Sequence, residues 1–220
     1  MIHDLFSRTV ALVRWLVVLE IGIWRSLFLL VTRRVPGRGP GVEAFSYVRA
    51  VAPIMGAFIF VSALELVVVH LLLPWEVIRL ILLVLSVWGL LWMVGYLASM
   101  KVFPHLVGPE ELRVRSGTGA DIVVPWEAVA AVRQRRGSVT SQRRVQVERG
   151  DDGAVASVPV LKLTRVEVVL REPTTVSLPD GPAEVTAVRL YADDHRGLVA
   201  RARERLASRA QVQEAAAGRD

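Results

Sequence analysis

The sequence predicts an integral membrane protein of mixed class, a transmembrane α-helical hairpin followed by an α+β soluble domain. Residues 51–100 are two nearly unbroken apolar runs joined only by Pro74-Trp75-Glu76. After Phe103-Pro104 the hydrophobic spacing changes from helical to alternating, and beyond Asp193-Asp194 it returns to an amphipathic helical pattern. With 220 residues, 53% of them hydrophobic, and a mean hydropathy of +0.43, the chain has room for one hairpin and a domain of about a hundred residues.

Val51 to Leu73 and Val77 to Met100 are each long enough, at about 1.5 Å per residue, to cross a hydrocarbon core of about 30 Å. The three-residue connection is too short to recross, so the helices run antiparallel with both outer ends on one face. Arg33, Arg34, Arg38, Arg49 and Lys101 flank those ends, whereas Glu76 and Arg79 at the turn cancel, which places the flanks inside. Trp75, Tyr47 and Tyr96 suit interfacial aromatic belts.

Two residues break the apolar pattern, Glu65 near mid-span and His70 nearer the turn. An ionisable group at mid-span costs roughly 2.5 to 3.5 kcal/mol, so it is expected to be neutral, paired or turned to a polar interior. Ser62 lies on the face of Glu65 and is expected to share a hydrogen bond with it, while His70 lies about 140° away on the wheel. Glu65 reads either as helix glue or as part of a proton or ion path, and the glue reading is the simpler because two helices enclose no path. Gly56 with Ala63, and Ser86 with Gly89, are read as close-packing faces.

The N-terminal segment, residues 1–34, is apolar but carries Arg14, Glu20 and Arg25. On a 100° wheel His3, Ser7, Arg14, Arg25 and Thr32 fall on one narrow face, and Leu16, Leu19, Ile23, Leu27 and Leu30 on the other. That is the form of an in-plane interfacial helix, with Glu20 as the misfit. The alternative is a third span whose charges pair inside a bundle. Asp4 and Arg14 argue against a cleaved signal peptide. Residues 35–50, rich in Pro, Gly and Arg, read as a basic linker at headgroup level.

In residues 101–208, strands are expected at Leu112–Arg115 and Asp121–Val124 around a Gly117-Thr118-Gly119 turn, and at Arg144–Glu148, Arg165–Leu170 and Val185–Leu190. Pro125-Trp126-Glu127 is expected to open a short helix through Val132. Gly150-Asp151-Asp152-Gly153, Glu172-Pro173 and Pro179-Asp180-Gly181 read as turns. Asp193 or Asp194 caps a last helix with Leu198, Val199, Ala202 and Leu206 as its apolar stripe. Residues 209–220 read as a tail.

Short antiparallel strands closed by one C-terminal helix are the order of a pleckstrin-homology-like barrel or sandwich. The run Gly119-Ala120-Asp121-Ile122-Val123-Val124-Pro125-Trp126-Glu127-Ala128-Val129 resembles the strand, Pro-Trp and hydrophobic turn of bacterial PH-like domains. Thr164 to Leu170 and the Leu190 to Leu206 ending resemble the close of the same module. The resemblance covers roughly residues 106–208 and implies a fold and a membrane-facing position rather than an activity. The chain departs from a compact version by a basic insert around Arg133 to Arg149.

That insert is the main candidate site. Arg133, Arg135, Arg136, Arg143 and Arg144 bracket a Gly-Ser-Val-Thr-Ser tip, and with Arg33, Arg34 and Arg38 they are expected to meet anionic headgroups at about 1 kcal/mol per residue. A solvated charged loop is the plain alternative. The net charge of +6 is assigned to the positive-inside signature and to anionic headgroups, and nucleic acid is not expected at the cluster because no aromatic residues interleave with these arginines.

No phosphate loop, dinucleotide pattern, nucleophile elbow or zinc-protease helix is present, the four histidines are scattered, and there is no cysteine. Enzymatic activity, metals and cofactors are therefore not expected. The sequence reads as a non-catalytic, multi-pass inner-membrane scaffold or assembly module with a cytoplasmic PH-like domain, acting with anionic lipids in a homo-oligomer or with a membrane protein partner. The rival is a channel, transporter or transporter subunit using Glu65.

Overall fold

The computed structural model describes residues 2–141, 143–150, 153–179 and 181–217, with side chains described for all of these except residues 2–12, 15 and 212–217. His3, Ser7, Asp4, Asp151, Asp152 and Asp180, each given a part above, lie outside the described side chains or residues. Among the described residues there are four α-helices and two sheets, an α+β architecture in two units. One unit is residues 1–35 with 52–102, and the other is residues 36–51 with 103–220.

The first unit is helical: α1 (Ile2–Val31), α2 (Ala52–Leu72) and α3 (Glu76–Val102). Two of these, α2 and α3, are long and apolar enough to cross a membrane, and their apolar windows have no residue buried within the chain. Both α1 and α2 pack on α3, and among the described residues they scarcely touch each other. α1 lies along α3 in the same direction: Glu20 meets Trp88, and further on Ile23 meets Gly95. Gly95 is there for closeness, since a Cβ on it would run into Ile23 Cγ2 and come within 3.2 Å of Leu27 Cγ. The expected close-packing glycines behave differently, because a Cβ on Gly56 or Gly89 would meet open space.

Glu20, the misfit of the wheel, accepts hydrogen bonds from the indole N–H groups of Trp24 (2.8 Å) and Trp88 (3.0 Å). Its partners are therefore aromatic donors rather than arginines. Arg14 and Arg25 point away from α3 and are exposed. α1 ends on Arg33 at φ 54°, where the N–H groups of Arg34 and Arg33 donate to the carbonyls of Leu29 and Leu30. This closing motif usually carries glycine.

The second unit is built from two sheets. The first is a meander of β1 (Glu43–Phe45), β2 (His105–Val107), β3 (Glu111–Ser116) and β4 (Ala120–Pro125), in that order and antiparallel. The second contains β5 (Val129–Ser138), β6 (Gln146–Gly150), β7 (Gly153–Val158), β8 (Leu163–Leu178) and β9 (Gly181–Leu190), in the order β5-β8-β9-β7-β6. Among the described residues only the β7–β9 pair is parallel; the β6–β7 hairpin adds itself to the free edge of an antiparallel β5-β8-β9 meander. α4 (His195–Ala217) then places Leu198, Val199 and Ala202 in the common core, which also holds Leu112, Val114, Ile122, Val124, Val166, Val168, Val188 and Leu190.

Several expectations change here. The stretch read as a linker supplies β1, and α4 holds it through an Arg201–Glu43 ion pair (2.8 Å) and a hydrogen bond from Arg205 to Gly41 O (2.5 Å). Tyr47 is not an interfacial residue: it is 2% exposed, donates to Phe103 O, accepts from the Gly117 N–H, and sets its ring 4.7 Å from that of His105. The helix expected after Pro125 is one 3-10 turn, Trp126–Ala128, before β5 begins. Trp126 is buried and donates to Gly108 O. Glu172-Pro173 is not a hairpin turn; β8 runs through it with a register shift between Val169 and Thr174, the kind of bulge that tolerates proline.

Candidate functional site

Strand pairing sets one row of side chains across the five-stranded sheet. Arg133 on β5 pairs with Glu167 on β8, Glu167 with Arg189 on β9, Arg189 with Ser157 on β7, and Ser157 with Gln146 on β6. Val132, Val166, Val168, Val188, Val158 and Ala156 alternate with this row and enter the core, so the row occupies the opposite face.

Glu167 is the centre of the row. It is 1% exposed, and its carboxylate accepts from Arg133 Nε (2.6 Å), Arg135 Nη1 (2.9 Å) and Arg189 Nε (2.8 Å). Burial alone would raise its pKa, but the hydrogen bonds from Arg189 and Arg133 and the charge of Arg135 outweigh this and lower it. The carboxylate therefore stays ionised and orients three guanidiniums. Three arginines against one glutamate leave a local charge of +2. Each guanidinium carries five N–H donors and spends few of them on Glu167, and the Arg133 and Arg135 side chains are 56% and 50% exposed. Such forks match the oxygens of phosphate or carboxylate groups. Further along, Arg165 sits 5.4 Å from the centre of the Tyr191 ring, and Ser157 Oγ and Gln146 Nε2 are buried without a hydrogen-bond partner.

Of the arginines expected to act together, the structure gathers Arg133 and Arg135 around Glu167. Arg136 and Arg143 are exposed, and Arg143 lines a shallow groove of about 520 Å³ with Ser141, Val145, Gln146, Leu178 and Pro182. Arg144 turns away to cover Gly119 in the β3–β4 turn. Arg33, Arg34 and Arg38 are exposed, with Arg33 and Arg34 in the helical unit and Arg38 in the other. Glu167, Arg189 and Arg165 were missed in the sequence. The signal was present in Arg165-Val166-Glu167-Val168, where two opposite charges share the face that the valines leave.

The candidates on α2 form no site among the described residues. Ser62 is half-buried while Glu65 and His70 are exposed, and the expected Ser62–Glu65 hydrogen bond is not made. No family model matches the chain, and no curated protein or solved structure matches it.

Proposed function

We propose that the chain is a non-catalytic, membrane-anchored module whose PH-like barrel offers an arginine-rich face to anionic lipid headgroups, within a homo-oligomer or a membrane complex. α2 and α3 cross the inner membrane, with α1 as a third span beside α3. The lengthwise packing of α1 on α3 supports that third span over an in-plane helix. A four-strand meander, the β5-β8-β9 meander and a closing helix support the PH-like reading, with β6–β7 as the insert. The positive flanks of the hairpin support a cytoplasmic position for the barrel.

The observation that carries the reading is Glu167 holding Arg133, Arg135 and Arg189 in one buried-centred cluster with a charge of +2. Its arginines are already ordered, so an arriving phosphate meets donors whose side-chain freedom is largely spent. The rival use of Glu65 in a conduction path gains no support from one chain, where Glu65 lies on the outer face of α2.

The test uses the full-length protein in mild detergent, titrated with phosphatidylglycerol or phosphatidylcholine and read by native mass spectrometry. Arg133→Gln with Arg135→Gln leaves Arg189 to satisfy Glu167. At about 1 kcal/mol per arginine the pair is expected to lower affinity for the anionic lipid by up to about 30-fold, with little change for the zwitterionic one. Equal retention of the two lipids by the wild type, or an unchanged titration in the variant, would discard the reading.

A further inference from the structure

Arg14 and Glu65 are ionisable, exposed and, among the described residues, without an ion-pair or hydrogen-bond partner. They stand on different helices, α1 and α2, which both pack on α3. Arg14 points directly away from the α3-facing residue Ile23 on the wheel, and Glu65 lies about 100° from the centre of the α2 stripe that meets α3. Each is surrounded by exposed apolar side chains, Val13, Val17 and Val18 around the arginine and Val61, Leu64 and Val68 around the glutamate. An ionisable group so placed at membrane depth is stabilised by a partner of opposite charge.

The depths of the two agree. The Ile23–Gly95 contact sets α1 level with α3, which brings Arg14 to the height of Ser86. The short connection after Leu72 sets α2 level with α3 in the opposite sense, which brings Glu65 to the height of Leu83. Three residues of helix separate these heights, about 4.5 Å along the axis. Opposite charges at one depth on two different surfaces of the same helical unit are complementary between copies.

We infer that copies of this chain associate head to tail in the membrane, with Arg14 on α1 of one copy paired to Glu65 on α2 of the next. This deepens the proposed oligomer and rests on the membrane-embedded reading of α1 to α3. Because two different surfaces meet, the contact is heterologous and repeats around a ring or along an open row. It assigns Glu65 to a contact between copies rather than to a path within one.

The chain has no cysteine, so cross-linking starts from a clean background. Val18 and Val61, 63% and 57% exposed, lie one turn from Arg14 and Glu65 toward the same end of the unit. Full-length protein carrying Val18→Cys and Val61→Cys is oxidised in native membranes. A ladder of cross-linked multimers is expected, with none from either single variant. Arg14→Glu in the double-cysteine chain is expected to remove the ladder, and Arg14→Glu combined with Glu65→Arg to restore it. A ladder that persists in Arg14→Glu, dimers from Val61→Cys alone, or no ladder from membrane-retained protein would overturn the head-to-tail contact and leave the membrane reading intact. Release of the protein by alkaline carbonate would overturn the membrane reading, and this inference with it.

Discussion

Lowering the pH from 7.5 to 5 is expected to weaken the β-rich unit through one residue, His105. Its ring is 1% exposed; Nδ1 accepts the Arg115 backbone N–H at 3.0 Å, so Nε2 carries the proton and donates to Tyr191 O at 2.8 Å. Burial is the main cause that brings its pKa from 6.5 down to about 4, against the opposing pull of the Tyr191 carbonyl. The folded chain therefore takes up this proton later than the unfolded chain on acidification. Stability is complete above the ordinary histidine range and is lost progressively as pH falls from 6.5 toward 4. At 1.36 kcal/mol per pH unit this amounts to about 2 kcal/mol between pH 7.5 and 5, or about 30-fold in the opening equilibrium. Hydrogen exchange of the full-length protein in mild detergent reads it at β2 and β3, after correction for the intrinsic exchange rate. His105→Gln keeps an acceptor and a donor but cannot titrate, so its protection is expected to stay flat over the same range. A wild type as flat as the variant, or a variant as steep as the wild type, would refute the buried neutral imidazole.

Three further outcomes are expected. Asp194 accepts the Gly197 N–H at 2.9 Å at the start of α4, and Asp194→Ala is expected to lose about 1 kcal/mol, seen as faster exchange in the first turn of that helix. Leu161 and Lys162 turn the chain between β7 and β8 at φ 49° and 65°, where asparagine and glycine are at ease. Leu161→Asn with Lys162→Gly is therefore expected to raise the thermal midpoint, by a stabilisation of about 1 kcal/mol. Gly95→Val forces a side chain into Ile23 and is expected to loosen α1 from α3 by about 1 to 3 kcal/mol, measured as exchange along residues 16–30.

What could be seen in the sequence followed the strength of its periodicities. The two long helices stood out because about twenty apolar residues in a row have few other uses. β3, β4, β9 and the first half of β8 announced themselves by alternation. β7 did not, since Gly153-Ala154-Val155-Ala156-Ser157-Val158 offers almost no contrast between its faces. The start of β5 was mistaken for helix because Val129 and Val132 fit the helical spacing, and a short apolar run does not separate the two periods. β1 was hidden by its surroundings: three residues in a Pro/Gly-rich stretch become a strand only when β2 arrives to pair with them. The candidate site was half legible. The arginines were countable, but their common partner Glu167 sits on another strand and is brought to them by register. Glu20 was flagged as a misfit without its partners, although Trp24 lies at the i+4 spacing that reaches it.

The pairing of β1 with β2 makes the helical hairpin an insertion within a domain rather than an appendage before it. On the ribosome, Glu43 to Phe45 emerges roughly sixty residues ahead of the strand it needs, and only after the hairpin has folded back are the two brought within reach at a modest closure entropy. Pairing of β1 with β2 is thus gated by hairpin formation, and a hairpin that fails to form leaves a β2 edge open to other chains. A fragment begun at Phe103 would lack β1 and the Tyr47 ring against His105, and its behaviour would not stand for that of the intact domain. A version without the hairpin joins residue 51 to residue 103 and keeps β1 paired with β2.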